Sequence, residues 1–195
     1  MPTHTINGAQ YHYIEQGEGA EVIFFGHGLL YHSKIFAPQM EHFASKGYRC
    51  IAIDWRGQGK TEGGGNPSDY TLYQLGHDAY DLLQALGVQQ CHWAGVSMGA
   101  MTAMRLYPKH PELFKSLTII DSSAADAPDL LEGYTQLGQA MLHYGMNDQL
   151  NQAIDAVFYT PAIHTEKPDD VAYWHEYWAN ANRQDLYNAV MPVID

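Results

Sequence analysis

Residues 91–107 read CHWAGVSMGAMTAMRLY, and this stretch decides the reading of the chain. Cys91–Val96 is a short apolar run of the kind that forms a strand buried on both faces of a parallel sheet. Met98–Tyr107 reads as a helix, stopped by Pro108 and Pro111. Ser97 stands between them, at the centre of Gly95-Val-Ser97-Met-Gly99, which fits G-x-S-x-G. A chain that leaves a strand and enters a helix at one residue must reverse there. The strained backbone then projects the Ser97 hydroxyl out of the turn. Strand and helix nearly touch at such a turn, so the positions two before and two after must be small, and Gly95 and Gly99 meet that need. The carboxyl end of a parallel strand is also where open α/β sheets place ligands.

Outward from this turn the pattern alternates. Thr3–Ile6, the turn pair Asn7-Gly8 and the alternating Ala9–Ile14 read as an antiparallel hairpin. Val22–Phe25 and Arg49–Ile53 are two further buried strands, and Leu117–Ile120 is a fourth after Cys91–Val96. Helices are expected from Pro38 to Lys46 and from a Thr71 cap through Leu86. Gln74 would complete a capping box at Thr71, and Gly47 and Gly87 end the two helices. The order βαβαβαβ after the hairpin predicts an α/β fold, a mostly parallel sheet with right-handed crossovers and helices on both faces. From Leu130 to Asp195 the apolar spacing is helical: Tyr134, Leu137, Met141 and Leu142, then Ile154, Val157 and Phe158, then Trp174, Tyr177 and Trp178. Two to four helices are expected there as a lid. The domain reading is therefore a core over 1–125 and a helical cap over 126–195.

Length and composition narrow the function. With 195 residues, 46% apolar and 16% charged, the chain is a globular domain. Its 22 acidic and 10 basic side chains give a formal net charge of −12, which disfavours nucleic acid and anionic membrane as partners and leaves small neutral molecules. Cys50 and Cys91 form no CxxC pair and no zinc spacing, so no metal site is expected and both read as core residues. The Met1-Pro-Thr-His start has no basic segment followed by an apolar run, and no apolar run reaches membrane-span length; a cytoplasmic location is the expectation.

Two companions accompany Ser97. His27-Gly28-Leu29 follows the first parallel strand. An oxyanion developing at Ser97 needs two N–H donors, and Met98 and Leu29 are the expected pair. His27 is expected to fix that loop. Asp54-Trp-Arg56-Gly-Gln-Gly59 follows the next strand, and Asp54 is expected to pair with Arg56 or cap loop amides.

With these motifs in place the chain resembles the α/β-hydrolase superfamily. His27-Gly28, Asp54-Trp-Arg-Gly-Gln-Gly59 and Gly95-Val-Ser-Met-Gly99 occur at the family's relative positions. Tyr70-Thr-Leu-Tyr-Gln-Leu75, Ala85-Leu-Gly87 and Ser116-Leu-Thr-Ile-Ile-Asp-Ser122 resemble its branch of enol-lactonases, haloperoxidase-type esterases and ring-cleavage-product hydrolases. The resemblance covers residues 1–125 and, loosely, the lid. It implies a Ser-His-Asp hydrolase without a cofactor, acting on an ester, lactone or carbon–carbon bond. It also implies two more strand–helix units carrying the acid and the histidine, roughly 55–70 residues, so the C-terminal part of the fold is expected to be missing from this sequence. Asp121 stands where the haloalkane dehalogenases place their acid, and is the candidate acid here.

Ser97 without a base is a poor nucleophile. His143, His164 and His175 are the lid histidines that a base would have to come from within this chain. Three readings stay open: a hydrolase scaffold of impaired activity, an esterase with a borrowed base, and a non-catalytic module that binds a small molecule. Tyr31, Tyr134, Trp174, Tyr177 and Trp178 are the candidate pocket residues for a small ester or lactone. An open edge at Leu117–Ile120, or the lid, is expected to drive homo-oligomer formation.

Overall fold

A computed structural model describes residues 3–125 and 128–194. Among them run six strands and eight α-helices: β1 Thr3–Ile6, β2 Ala9–Gln16, β3 Val22–Gly26, α1 Ala37–Ser45, β4 Arg49–Ile53, α2 Leu72–Ala85, β5 Cys91–Val96, α3 Met98–Leu106, β6 Phe114–Ile120, α4 Pro128–Tyr144, α5 Asp148–Phe158, α6 Ile163–Glu166, α7 Pro168–Asn180 and α8 Arg183–Ile194. The sheet order is β1-β2-β4-β3-β5-β6. The hairpin β1–β2 joins β4 antiparallel, while β4, β3, β5 and β6 run parallel, so the expected mixed sheet is observed. The 125/126 domain boundary falls at residues 126 and 127, outside the described residues.

Strand composition explains the layering. Phe24, Ile51, Ile53, Cys91 and Trp93 point into one core, against Leu75, Ala79, Leu82 and Leu83 of α2 and Met101, Ala103 and Leu106 of α3. Alternate residues Ile23, Phe25, Cys50 and Ala52 face Phe36 and Met40 on the other side. This second side is only partly covered. A cavity of about 510 Å³ runs beside α1, walled by Phe25, Phe36, Phe43, Val96 and Ile120. β6 begins three residues before the expected start. It is an outer strand of the sheet, the open edge expected at Leu117–Ile120, and it is not buried: Ile119 and Ile120 are 48% and 41% exposed. The apolar run alone does not report burial, because burial depends on a neighbour that lies elsewhere in sequence.

After β6 come five helices, α4–α8, not two to four. Pro161 and Pro168 divide the expected second and third sets, leaving the one-turn α6 between α5 and α7. At α2 the Thr71 hydroxyl accepts the Gln74 N–H, as expected. The Gln74 side chain turns instead to Asp78, at 2.8 Å, so the capping box is half formed. Among the described residues no helix is long and apolar enough to cross a membrane.

Candidate active site

Ser97 is the hinge between β5 and α3. Its backbone adopts φ 49°, ψ −116°, a conformation that L-residues hold only when surroundings enforce it. The enforcement is visible. The Ser97 N–H donates to Ile120 O of β6 at 2.9 Å. Its carbonyl accepts from Ala100 N at 2.9 Å, Met101 N at 3.0 Å and the Ser122 hydroxyl at 2.9 Å. The flanking glycines are sterically required: a Cβ on Gly95 would lie 2.4 Å from Ala100 N, and one on Gly99 would lie 2.1 Å from Gly26 O.

The hydroxyl-bearing residue is partly exposed and faces a cavity of about 710 Å³. Gly28 lines the same cavity, as do Leu29, Tyr31, Asp121 and Tyr134, four of the residues chosen from sequence. Gly28 packs closely there, with a Cβ at that position falling 3.5 Å from Ser97 Cβ. Met98 is the first residue of α3, and the first N–H groups of a helix have no intrahelical acceptor. Ser122, Phe158 and Tyr159 also line the cavity and were not singled out from sequence. Phe158 ends α5 and Tyr159 follows it, where an apolar helical set gives no sign of which face meets the sheet.

The loop that carries Leu29 is held by polar contacts from three directions. His27 is fully buried, its Nδ1 2.7 Å from Gly28 O, while its Nε2 accepts the Trp55 N–H at 3.1 Å. Nδ1 must therefore carry the hydrogen. Burial, the largest influence, drives the His27 imidazole down to about 4, so it is neutral and fixes the loop as expected. Leu30 sits at φ 65°, its N–H donating to Gln58 Oε1 at 2.9 Å and its carbonyl accepting the Trp178 indole N–H at 2.6 Å. Asp54 does not pair with Arg56. It accepts from Ser33 N at 2.8 Å, Lys60 N at 2.9 Å and His12 Nδ1 at 2.7 Å. Arg56 bonds Asp78 instead, at 3.3 Å. Burial works to raise the Asp54 carboxyl, but the hydrogen bonds from His12 and Ser33 hold it at about 2.

Three aromatic residues chosen for the pocket lie elsewhere. Trp174, Tyr177 and Trp178 are not among the residues lining the Ser97 cavity. Trp178 is fully buried on Leu30 O, Tyr177 accepts the Gly59 N–H at 2.6 Å, and Trp174 packs edge-on to Tyr31 with centroids 4.7 Å apart. Helical spacing put them on one face, and that face docks α7 onto the loops after β3 and β4. Two histidines of the C-terminal helices meet one carboxylate. His175 Nε2 bonds the Asp155 carboxylate at 2.9 and 3.0 Å, and His164 Nε2 approaches the same carboxylate at 3.9 Å. Among the described residues no histidine lines the Ser97 cavity. No group of three or more His, Cys, Asp or Glu among them could hold a metal ion.

Comparison with known proteins follows from this geometry. The alpha/beta hydrolase fold profile matches residues 21–194. The chain is 35% identical over 107 residues to 3-oxoadipate enol-lactonase 1 of Acinetobacter baylyi, covering 55% of this chain and 39% of that protein. It is 28% identical over 197 residues to an epoxide hydrolase of Caballeronia sordidicola, covering 94% of this chain and 57% of that protein. The chain thus spans between about two fifths and three fifths of these relatives. The crystal structure of the enol-lactonase from Burkholderia xenovorans LB400 shares the fold, with a TM-score of 0.88 at 22% identity over 99% of this chain and 73% of that one. With a strained serine turn at the end of a central parallel strand and a profile match over nearly its whole length, the chain belongs to the α/β-hydrolase fold family.

Proposed function

We propose that this protein is a hydrolase of small esters or lactones in which Ser97 is the nucleophile. The observation that carries the reading is the strained Ser97 turn opening on the 710 Å³ cavity. In the proposed step the Ser97 oxygen bonds to the acyl carbon, and the bond from that carbon to the leaving oxygen breaks. The hydroxyl proton passes through a base to the departing alkoxide, and water then releases the acid by the same route. The N–H groups of Met98 and Leu29 stabilise the oxyanion. Asp121 follows β6, lines the cavity and is proposed as the acid that orients the base. Tyr31 and Tyr134 supply apolar wall and hydroxyl contacts to the ester. The 35% identity to an enol-lactonase supports the lactone side of this reading. No metal or cofactor takes part in it.

The competing reading is a binding module on a hydrolase scaffold, favoured by the lack of a histidine among the described residues lining the cavity. A fluorophosphonate probe and p-nitrophenyl acetate separate the two. The expected result is slow labelling confined to Ser97, absent in Ser97→Ala. Hydrolysis should be accelerated by added imidazole in the parent protein well above the imidazole background seen with Ser97→Ala. Equal behaviour of parent and variant in both assays would leave the binding module as the better account.

A further inference from the structure

A further cavity of about 360 Å³ lies between β2, the loop after β4 and α7, and shares no lining residue with the Ser97 cavity. Its wall contains an unsatisfied group. His12 of β2 is 4% exposed, and its Nδ1 lies 2.7 Å from Asp54 Oδ2. An ionised carboxylate only accepts, so Nδ1 carries the hydrogen. Nε2 is left buried without a hydrogen-bond partner, a condition that native proteins seldom leave in place.

Other polar groups of the same wall are arranged as donors. His32 Nδ1 accepts the Lys34 N–H at 3.3 Å, so His32 Nε2 carries its hydrogen and donates to the Tyr173 hydroxyl at 2.9 Å. The Tyr177 hydroxyl accepts from Gly59 N. Each phenol oxygen thus already receives a hydrogen bond and has its own hydrogen to give. Burial raises the pKa of both phenols, Tyr177 to about 12, so both keep that hydrogen. The Lys34 ammonium lies 3.3 Å from the Tyr173 ring centroid. Asp54 is the one acid in the wall, and both of its oxygens are occupied by Ser33, Lys60 and His12. Lys34 and Lys60 in the same wall are two of the 10 basic side chains in a chain with 22 acidic ones. Ile14, Ala37 and the two tyrosine rings supply apolar surface.

We propose that this cavity binds a small organic acid with an apolar body. The Tyr173 and Tyr177 hydroxyls and the Lys34 ammonium take its carboxylate oxygens, and its body packs on the wall that holds His12. The site is separate from Ser97 and does not depend on the reading of Ser97 as a nucleophile.

Benzoate is the probe, titrated calorimetrically into the full chain, with benzyl alcohol as the uncharged counterpart. One-to-one benzoate binding in the millimolar range or tighter is expected, as its size allows, with benzyl alcohol much weaker. Tyr173→Phe and Lys34→Met should each weaken benzoate about tenfold, the loss of one charge-assisted hydrogen bond. Ala37→Trp, a substitution at an exposed wall position, should abolish it, while Ser97→Ala and Leu130→Trp leave it unchanged. Failure to saturate at tens of millimolar would overturn the proposal. So would equal affinity for the alcohol. Binding that survives Ala37→Trp and Tyr173→Phe but is lost in Leu130→Trp would move the acid to the Ser97 cavity and equally refute it.

Discussion

Ser97 shows how one residue can be held away from its preferred conformation. Its φ of 49° costs on the order of 1–3 kcal/mol for a non-glycine residue. Four hydrogen bonds to its own N–H and carbonyl offset that cost. The two glycines make the approach possible, so Gly99→Ala should destabilise the fold by about 3 kcal/mol or more, read as a lower urea midpoint. A change under ~0.5 kcal/mol would mean that the strand and helix can separate freely. His27 gives a pH signature. Its folded pKa of about 4 lies below the ordinary 6.5, so between those values the unfolded chain binds more protons. The stability it contributes is complete above 6.5 and is lost as pH falls toward 4, on the order of 3 kcal/mol in all. Asp54, lowered from 3.8 to about 2, extends the loss below that window. Urea unfolding at pH 7 and pH 5 should therefore differ more in the parent protein than in His27→Gln; equal differences would contradict the assignment.

At the scale of elements, α7 is a strap. Tyr173, Trp174, Tyr177 and Trp178 all turn toward the loops after β3 and β4, each with a specific partner. These loops position Leu29 beside Ser97 and border the 360 Å³ cavity, so α7 helps to shape both cavities. Trp178→Phe keeps most of the packing but strands the Leu30 carbonyl. Stability should fall by about 1–3 kcal/mol, and the amides of residues 28–33 should exchange faster with solvent. Unchanged exchange in that loop would show that α7 rests on it without restraining it. The same loop carries a non-glycine residue of positive φ, Leu30, whose conformation is held by Gln58 and Trp178 together.

At the scale of the whole sheet, β1 and β6 are the two outer strands. β1 is the outer strand at one side, while β6 presents Ile119 and Ile120 to solvent beside the apolar cavity along α1. Exposed strand edges next to apolar surface favour association. The net charge of −12 opposes it by repulsion that salt screens. Light scattering should show self-association that grows from low to physiological salt and is suppressed by Ile119→Lys. A monodisperse monomer at micromolar concentration in both salts would refute this.

Sequence by itself determined the sheet, the serine turn and the edge between hairpin and parallel strands. Those features rest on short-range regularities: period-two and continuous apolar runs, Asn7-Gly8, and two glycines spaced about Ser97. Leu29 came from the donor need of an oxyanion and Asp121 from family resemblance, and both line the Ser97 cavity together with Tyr31 and Tyr134. Only the tertiary structure decided which residues answer Asp54, for His12 lies 42 positions away and Arg56, two positions on, chose Asp78. It also sent the aromatic face of α7 to the loops rather than the cavity, and brought Tyr159 in. A helix reports which of its faces is apolar; what that face meets is fixed by packing between distant segments, and that is not written in any local pattern.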